Sequence, residues 1–263
     1  MSHTILGVRI DDLSLSEVRS RISGWLKHER GKIIVTPNAE MLVLSRHDEV
    51  LRRNLNGADL AVADTVSIRY AVAALTQERL QHRIPGVDLV QEIAALCREN
   101  EQTLLLLGGD PGAAEQAAEL LGAEGLDPGQ ISFDGETVRI SRTLIETLRQ
   151  INPDAVAVGL GQGKQEAFMT TARELLPDVR VWIGVGGSFD MISGQKKRAP
   201  QALRSMGLEW VWRLIIEPSR WRRIARASIV FPLSVAWITL KRGTIIAATG
   251  RVFKEVYRQF RTV

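Results

Sequence analysis

The sequence is poor in residues that build disulfides and metal centres. It has one cysteine in 263 residues, so an internal disulfide is excluded. Cys97 lies in the apolar pattern LVQEIAALC, which predicts a core position. The four histidines are scattered, and no Asp-x-Asp triplet follows an apolar run, so we expect no metal and no other cofactor. Neither G-x-S-x-G nor G-x-x-x-x-G-K-[ST] occurs, which disfavours an α/β-hydrolase and a P-loop NTPase.

Long hydrophobic segments are also lacking. The N-terminus, MSHTILGVRIDD, has no basic region followed by an apolar core, so we expect no signal peptide. No run reaches the roughly 20 apolar residues that span a bilayer. The longest uncharged run, 227–240, contains Pro232, and we expect it either to lie in a membrane interface or to form a buried helix.

Charge is distributed unevenly along the chain. Residues 1–195 hold 19 Lys/Arg and 27 Asp/Glu, whereas residues 196–263 hold 15 Lys/Arg and 3 Asp/Glu. The second segment also carries tryptophans 210, 212, 221 and 237. We therefore predict a core over 1–195 and a basic, aromatic, helical appendage over 196–263. Such an end suits an anionic partner, namely nucleic acid, anionic lipid or a phosphorylated substrate.

The core repeats one pattern five times. The apolar runs KIIV, ADLAVA, TLLLL, AVAVGLG and RVWIGV each lead into a small or polar loop and then a helical pattern. Strand, loop and helix in alternation predict an α/β, Rossmann-like fold, with a mostly parallel sheet and helices on both faces. Ser14 and Glu17 have the spacing of a capping box, which predicts a helix from about Leu15.

Ligands of open parallel sheets bind beyond the carboxyl ends of the strands. The polar or small residues at those ends are therefore candidates to meet in one cleft: Thr36, Asn38, Asp64, Gly108, Gly109, Gly159, Gly161, Gln162, Gly184, Gly186 and Gly187. Asp64 follows an apolar run, so partial desolvation would raise its pKa and suit a general base. An aspartate there is equally well explained as a helix N-cap, and the residues alone do not decide.

GLGQGKQE at 159–166 departs from a dinucleotide fingerprint, because Lys164 stands where the third glycine would fall. Its amides could still bind a phosphate or a sugar hydroxyl at a helix N-terminus. Arg83 lies in the Pro-Gly turn QHRIPGVDL, where an arginine is ordinarily solvated.

Six motifs occur in order, beginning with TPNAE at 36–40 and ADLAVAD at 58–64 and continuing with HRIPGVDL at 82–89, GLGQGKQE at 159–166, GVGGSFDMISGQKKRAP at 184–200 and GLEWVWRLIIEP at 207–218. Together they resemble the WecG/TagA/CpsF glycosyltransferases (glycosyltransferase family 26), over about residues 5–226. The resemblance implies an inverting, metal-independent transfer of a hexose or N-acetylhexosamine, of the N-acetylmannosamine type, from a UDP-sugar to a polyprenyl-diphosphate-linked sugar. It implies a role in bacterial cell-surface polysaccharide synthesis. A UDP-glucose-type hexosyltransferase of exopolysaccharide synthesis is the alternative.

By position, the resemblance implies that Asp64 is the general base. Thr36, Asn38 and Gln165 would line the same pocket, and Arg83 would bind a diphosphate or the acceptor. Arg213, Arg220 and Arg223 would fold over the pocket from the C-terminal segment, leaving Arg222 and Arg226 for the membrane. The chain departs from the family at Thr65, usually glycine, and at Gly163, usually proline; residues from about 227 extend beyond the usual family ending.

A module that binds nucleotides or nucleic acid through the basic tail is the competing class of function. The tail, however, places tryptophans beside its arginines, which is typical of a membrane interface. We therefore expect a cytoplasmic protein, peripheral on the inner face of the bacterial plasma membrane, that binds an anionic membrane surface and no nucleic acid. We expect Pro218 to begin a helix, with Leu208, Trp210 and Leu214 packed on the body. Association into a homo-oligomer stays open.

Overall fold

The computed structural model describes residues 1–129, 131–134, 137–201, 203 and 208–261. The sheet strands are β3 (Lys32–Val35), β4 (Leu60–Ala61), β5 (Leu104–Gly108), β6 (Glu124–Leu126), β9 (Ala155–Gly159) and β10 (Val181–Gly184). All pair in parallel, in the order β4-β3-β10-β9-β5-β6. The predicted mostly parallel sheet is therefore confirmed.

Two antiparallel hairpins flank the sheet, and neither was predicted. One pairs β1 (Ser2–Ile5) with β2 (Val8–Asp11), and the other pairs β7 (Ile131–Asp134) with β8 (Thr137–Ile140). Each strand has only four residues, which is too short for alternation to stand out in a sequence.

Helices cover both faces of the sheet, as the repeated pattern predicts. Successive strand residues enter opposite layers: Leu105 and Leu107 pack in one cluster, and Leu104 and Leu106 in the other. The helices before the C-terminal region are α1 (Leu15–His28), α2 (Ala39–Leu44), α3 (Glu49–Gly57), α4 (Val66–Leu75), α5 (Gly86–Glu99), α6 (Ala113–Leu121), α7 (Arg142–Ile151), α8 (Lys164–Leu175) and α9 (Ser188–Ile192). The predicted capping box between Ser14 and Glu17 begins α1. Cys97 is buried, which raises the pKa of its thiol to about 12 and confirms the core position.

The C-terminal region is helical, as expected. Its elements are α10 (Glu209–Ile216), a 3₁₀ turn (Pro218–Arg220), α11 (Trp221–Ala225), a π-helical stretch (Arg226–Val230), α12 (Phe231–Lys241) and α13 (Ile245–Arg261). Pro218 does begin a helical run, because its fixed φ suits a first turn.

The run Pro218–Lys241 is 24 residues long, with a mean hydropathy of 1.4 in its most apolar part. By length and composition it could cross a membrane, contrary to the expectation from uncharged runs alone. In the structure, however, Phe231, Val235 and Thr239 of this run are buried against the body. One side of the run is therefore already occupied by protein.

The first helix of the C-terminal region, α10, packs less closely on the body than expected. Trp210 and Leu214 are 41% and 36% exposed, so the predicted anchors of α10 are only partly covered. The firm contacts come later, where α12 and α13 pack on α4. Phe231, Val235 and Ala248 belong to the same hydrophobic cluster as the sheet residues Val35 and Leu107. The division at 195 thus separates regions that differ in charge but share a core.

Candidate active site

A polar cleft of about 300 Å³ lies at the carboxyl edge of the sheet and is closed on one side by the C-terminal region. Most of the predicted site residues line it, namely Thr36, Asn38, Asp64, Gly109, Gly159, Gly161, Gln162, Gln165, Gly186, Gly187, Arg213, Arg220 and Arg223. Parallel strands bring their carboxyl ends to one edge, which is why residues 36 and 186 meet although they are distant in sequence.

Gly108, Gly184 and Arg83 are the exceptions. Gly184 ends β10, and its carbonyl oxygen accepts from the hydroxyl of Thr36. Gly108 has a φ of +100° and serves the turn after β5, since a Cβ there would lie 3.1 Å from the carbonyl oxygen of Gly159. Its placement in the cleft lining is therefore wrong. Arg83 lines a neighbouring compartment, and its guanidinium donates to the Asp64 carbonyl oxygen over 3.2 Å. Arg83 thus contacts the main chain of the predicted base, Asp64, and not its carboxylate.

Asp64 is positioned by the backbone on both sides. Its N–H donates to the carbonyl oxygen of Pro37 over 3.0 Å, and its carboxylate Oδ1 accepts from the N–H of Gly86 over 3.0 Å. The N-cap residue of α4 is Thr65 instead. The N-cap explanation of Asp64 is therefore wrong, and its carboxylate faces the cleft while tied to a different loop.

Burial and neighbouring groups shift the pKa of Asp64 in opposite directions. Burial raises the pKa of the carboxyl, and this effect outweighs the hydrogen bond from Gly86 and the charges of Arg213 and Arg83, which lower it. Glu209 adds a smaller rise through like charge. A carboxylate that is easier to protonate than usual is a stronger base once ionised, as a proton acceptor in catalysis requires.

Gln165 is held rigidly beside the cleft. Its Oε1 accepts from the N–H of Gly186 over 2.9 Å, and its Nε2 donates to Glu166 over 2.8 Å. Glu166 also accepts from the N–H of Gly163, and burial raises the pKa of its carboxyl to about 7. The amide of Gln165 thereby ties the loop after β10 to the start of α8.

Thr36 and Asn38 also have structural partners. The hydroxyl of Thr36 donates to the carbonyl oxygen of Gly184 over 2.9 Å, which joins the ends of β3 and β10. The Oδ1 of Asn38 accepts from the N–H of Met41 and caps α2. Both side chains still line the cleft, so their structural contacts and a role toward a ligand are compatible.

The narrow waist of the cleft depends on Gly159. A Cβ there would lie 2.8 Å from the ring of Phe189 and 3.0 Å from the carbonyl oxygen of Gly186. Any larger residue would push apart the loops after β9 and β10. The glycine therefore sets how closely two of the cleft walls approach each other.

The C-terminal arginines are preorganised by carboxylates. Arg213 pairs with Glu209 and Arg220 with Glu217, each over 3.1 Å. Arg223 binds the buried Glu40 over 3.0 Å. These pairs fix the guanidinium groups in the wall of the cleft and leave further N–H donors for a ligand, since each guanidinium has five.

The two arginines assigned to the membrane differ in their contacts. Arg226 shares Glu40 with Arg223, over 3.1 Å, and so also holds the π-helical stretch to α2. Arg222 lies over the ring of Trp221, at 5.4 Å from its centroid, and is exposed as expected.

Sequence reasoning missed a cluster centred on Lys196. Its ammonium binds Asp190 over 2.8 Å and Glu217 over 3.2 Å, and it also contacts Asp110. Asp190 is buried and lines the cleft. Lys196 and Asp190 lie in the motif GVGGSFDMISGQKKRAP and Glu217 lies in GLEWVWRLIIEP, whereas Asp110 lies in neither. The motifs contained part of the signal, but pairing between separate segments cannot be deduced from spacing.

A second compartment of about 340 Å³ adjoins the cleft on the side of α4 and α11. The residues that line both spaces include the predicted base and three predicted arginines, in full Asn38, Asp64, Glu209, Arg213, Arg220 and Arg223. Asp64 therefore stands at the boundary between two spaces, with positive charge around it. Within the described ranges, no group of three or more His, Cys, Asp or Glu side chains could hold a metal ion.

A parallel sheet, a polar cleft at its carboxyl edge and a desolvated carboxylate facing two compartments together define an enzyme that transfers a group between two bound substrates. The chain belongs to the glycosyl transferase WecG/TagA/CpsF family, whose sequence model matches residues 3–244. It is a glycosyltransferase. Because the match continues to residue 244, all of α12 lies inside the family region, and the expected ending at about 227 is wrong.

Curated relatives support the same assignment. The chain is 30% identical, over 224 residues, to the N-acetylglucosaminyldiphosphoundecaprenol N-acetyl-beta-D-mannosaminyltransferase of Staphylococcus aureus strain MRSA252. The enzyme of the same name from strain NCTC 8325 has the same identity. Each alignment covers 84% of this chain and 86% of the relative.

Proposed function

We propose that this protein transfers a hexose or N-acetylhexosamine, of the N-acetylmannosamine type, from a UDP-sugar to a polyprenyl-diphosphate-linked sugar, with inversion and without a metal. The names of the relatives supply the acceptor class and the N-acetylmannosaminyl group. The glycine-rich loops and arginines of the cleft support an anionic nucleotide donor, because backbone amides and guanidinium groups both bind phosphate.

The position of Asp64 carries the proposal. A glycosyl transfer needs a base on the acceptor side of the anomeric carbon and positive charge around the departing diphosphate. Asp64 lines both compartments, and Arg213, Arg220 and Arg223 line them too. We assign the glycine-lined cleft to the donor and the compartment beside α4 to the acceptor.

In this arrangement the acceptor hydroxyl attacks the anomeric carbon from the face opposite UDP. The C–O bond to the new sugar forms as the bond to the UDP oxygen breaks. Asp64 takes the hydroxyl proton, and UDP leaves with the bonding electron pair. Arg213 and Arg220 stabilise the charge that develops on the diphosphate, which is the role otherwise filled by a divalent metal.

A UDP-glucose-type donor is the second candidate, and Thr65 is the observation in its favour. Thr65 lines the acceptor compartment beside the base, and its hydroxyl lies 3.1 Å from that of Ser67. A side chain at a position where the family usually has glycine changes the space next to the reacting atoms.

We further propose that the protein binds the inner face of the bacterial plasma membrane from the cytoplasm. Trp221, Trp237 and Phe253 are each more than half exposed on the C-terminal helices, in a segment, 196–263, that holds 15 Lys/Arg and only 3 Asp/Glu. Exposed aromatic side chains among cations suit a membrane interface with anionic headgroups.

The test is a panel of UDP-sugars, including UDP-N-acetylmannosamine and UDP-glucose, assayed with lipid-diphosphate-linked N-acetylglucosamine. We expect turnover with one class of donor, a product of inverted anomeric configuration by NMR, and no loss of rate with a chelator. Retention of configuration would contradict the mechanism, and loss of activity with a chelator would contradict metal independence. Failure of every donor, together with tight binding of nucleic acid, would favour the non-enzymatic alternative.

A further inference from the structure

A third space, an apolar groove of about 280 Å³, lies between α4, α12 and α13. We call it the helix groove. Its wall is mainly aliphatic and aromatic, with Ala71, Ala74, Phe231, Val235, Ala248 and Val252 among the lining residues. It lies on the C-terminal side of the acceptor compartment, away from the glycine loops.

The polar side chains in the groove wall already have partners. The hydroxyl of Tyr70 donates to Gln259, that of Thr239 to the carbonyl oxygen of Ala236, and that of Thr249 to the carbonyl oxygen of Ile245. An apolar ligand could therefore fill the groove without leaving these hydroxyls unsatisfied, which is the main cost of burying polar groups. A polar ligand would find few groups to bind.

The groove is continuous with the acceptor compartment. Ser67, Tyr70 and Pro232 line both spaces. The compartment has Asp64 and Arg83 in its wall, whereas the groove wall has none of the charged residues of the site. A molecule that is polar at one end and apolar at the other suits the two spaces together, and the arginines 83, 213, 220 and 223 of the compartment suit a polar end that carries a diphosphate.

The helices that form the groove also carry exposed apolar side chains. Leu233 and Trp237, on α12, are 64% and 55% exposed, and Ile246 at the start of α13 is 88% exposed. A chain that leaves the groove past these residues would stay in contact with apolar surface. This is the surface that we propose to face the membrane.

We propose that the helix groove binds the first isoprene units of the acceptor's own polyprenyl chain, next to its diphosphate. The inference rests on the proposed function, which supplies a lipid-linked acceptor. The protein would then recognise the acceptor at three points, with Asp64 at the sugar, the arginines at the diphosphate and the groove at the lipid. It follows that the protein should select acceptors by the length of the prenyl chain even without a membrane.

The experiment compares two acceptors in a vesicle-free assay at one fixed detergent concentration. Both carry N-acetylglucosamine diphosphate, one on a single isoprene unit and the other on four. The variants Ala236→Trp and Thr249→Trp place a large ring at exposed positions in the groove wall. Ala247→Trp, on the same helix as Thr249 and also exposed but outside the groove wall, is the matched control.

We expect the wild type to prefer the four-unit acceptor by at least about tenfold in kcat/KM, because several buried apolar carbons are worth that factor. Ala236→Trp and Thr249→Trp should abolish most of this preference, and Ala247→Trp should keep it. The inference is overturned if the groove variants keep the wild-type preference, including the case in which they lower kcat/KM equally for both acceptors. It is also overturned if the wild type shows a preference only when vesicles are added. A wild type that glycosylates neither acceptor would instead refute the proposed function.

Discussion

In the sheet region, charged side chains such as Glu166 and Asp190 are buried, whereas in the C-terminal helices large apolar side chains such as Trp237 and Phe253 are more than half exposed. The first arrangement requires partners for each buried polar group, and the sheet loops supply them. The second leaves apolar surface that water does not favour. In the function that we propose, the two regions therefore have different roles: the sheet loops position the reacting groups, and the helices provide cations and a surface for lipid.

Part of the positive charge of the C-terminal region is paired within the protein. Arg223 and Arg226 bind Glu40, and Arg251 donates to the carbonyl oxygens of Ala73 and Ala74 at the end of α4. Cations at a helix C-terminus satisfy orphan carbonyls and complement the helix dipole. Part of the charge thus attaches the region to the body, and only the remainder is free to meet an external anion.

The largest expected effect follows from a substitution that weakens the docking of the C-terminal helices on the body. Phe231 is fully buried in the shared core, so Phe231→Ala should reduce the free energy of unfolding by about 3–5 kcal/mol. Trp237→Ala, on the same helix but mostly exposed, should change it by no more than about 0.5 kcal/mol. Denaturant titration measures both. Equal stabilities of the two variants would mean that α12 does not dock as described.

A second prediction concerns how residues of the C-terminal region shift the pKa of Asp64, the proposed base. Asp64 works only when ionised, so kcat/KM should rise with pH through its pKa. Arg213 lowers that pKa and Glu209 raises it. The acid limb of the pH profile should therefore move to higher pH in Arg213→Ala and to lower pH in Glu209→Gln. Arg222→Ala, which removes an exposed guanidinium, is the control, and a shift of both site variants in the same direction would contradict the assignment.

The smallest expected effect concerns the exposed aromatic surface. The combined variant Trp221→Ala, Trp237→Ala and Phe253→Ala should lower the fraction bound to phosphatidylglycerol vesicles by at least about threefold. Binding of the wild type should also weaken with salt, because headgroup attraction is screened. Leu120→Ala removes an equally exposed apolar side chain from the sheet region and should have no effect. Cosedimentation decides, and unchanged binding of the triple variant would refute the membrane surface.

The parallel sheet and most of the cleft could be predicted because apolar runs that alternate with helical patterns force the strand ends to one edge. Thr36, Asp64 and Gly186 were found in this way. The partners of the arginines could not be predicted, since Arg223 and Glu40 are 183 residues apart and any of several carboxylates would have served equally well. Gly108 was misplaced because a glycine needed for backbone geometry and one that lines a ligand cleft are indistinguishable in sequence. The two hairpins were missed because four-residue strands carry too little periodicity.

The most direct measurement is sugar transfer by Asp64→Asn alongside its affinity for UDP. Asparagine keeps the size of the side chain and its ability to accept from Gly86 but cannot take a proton. The account predicts that transfer falls by about 10²–10⁴-fold, the usual contribution of a general base, while calorimetry shows UDP binding close to that of the wild type. Transfer at the wild-type rate would contradict the central claim that Asp64 is the base between the two compartments.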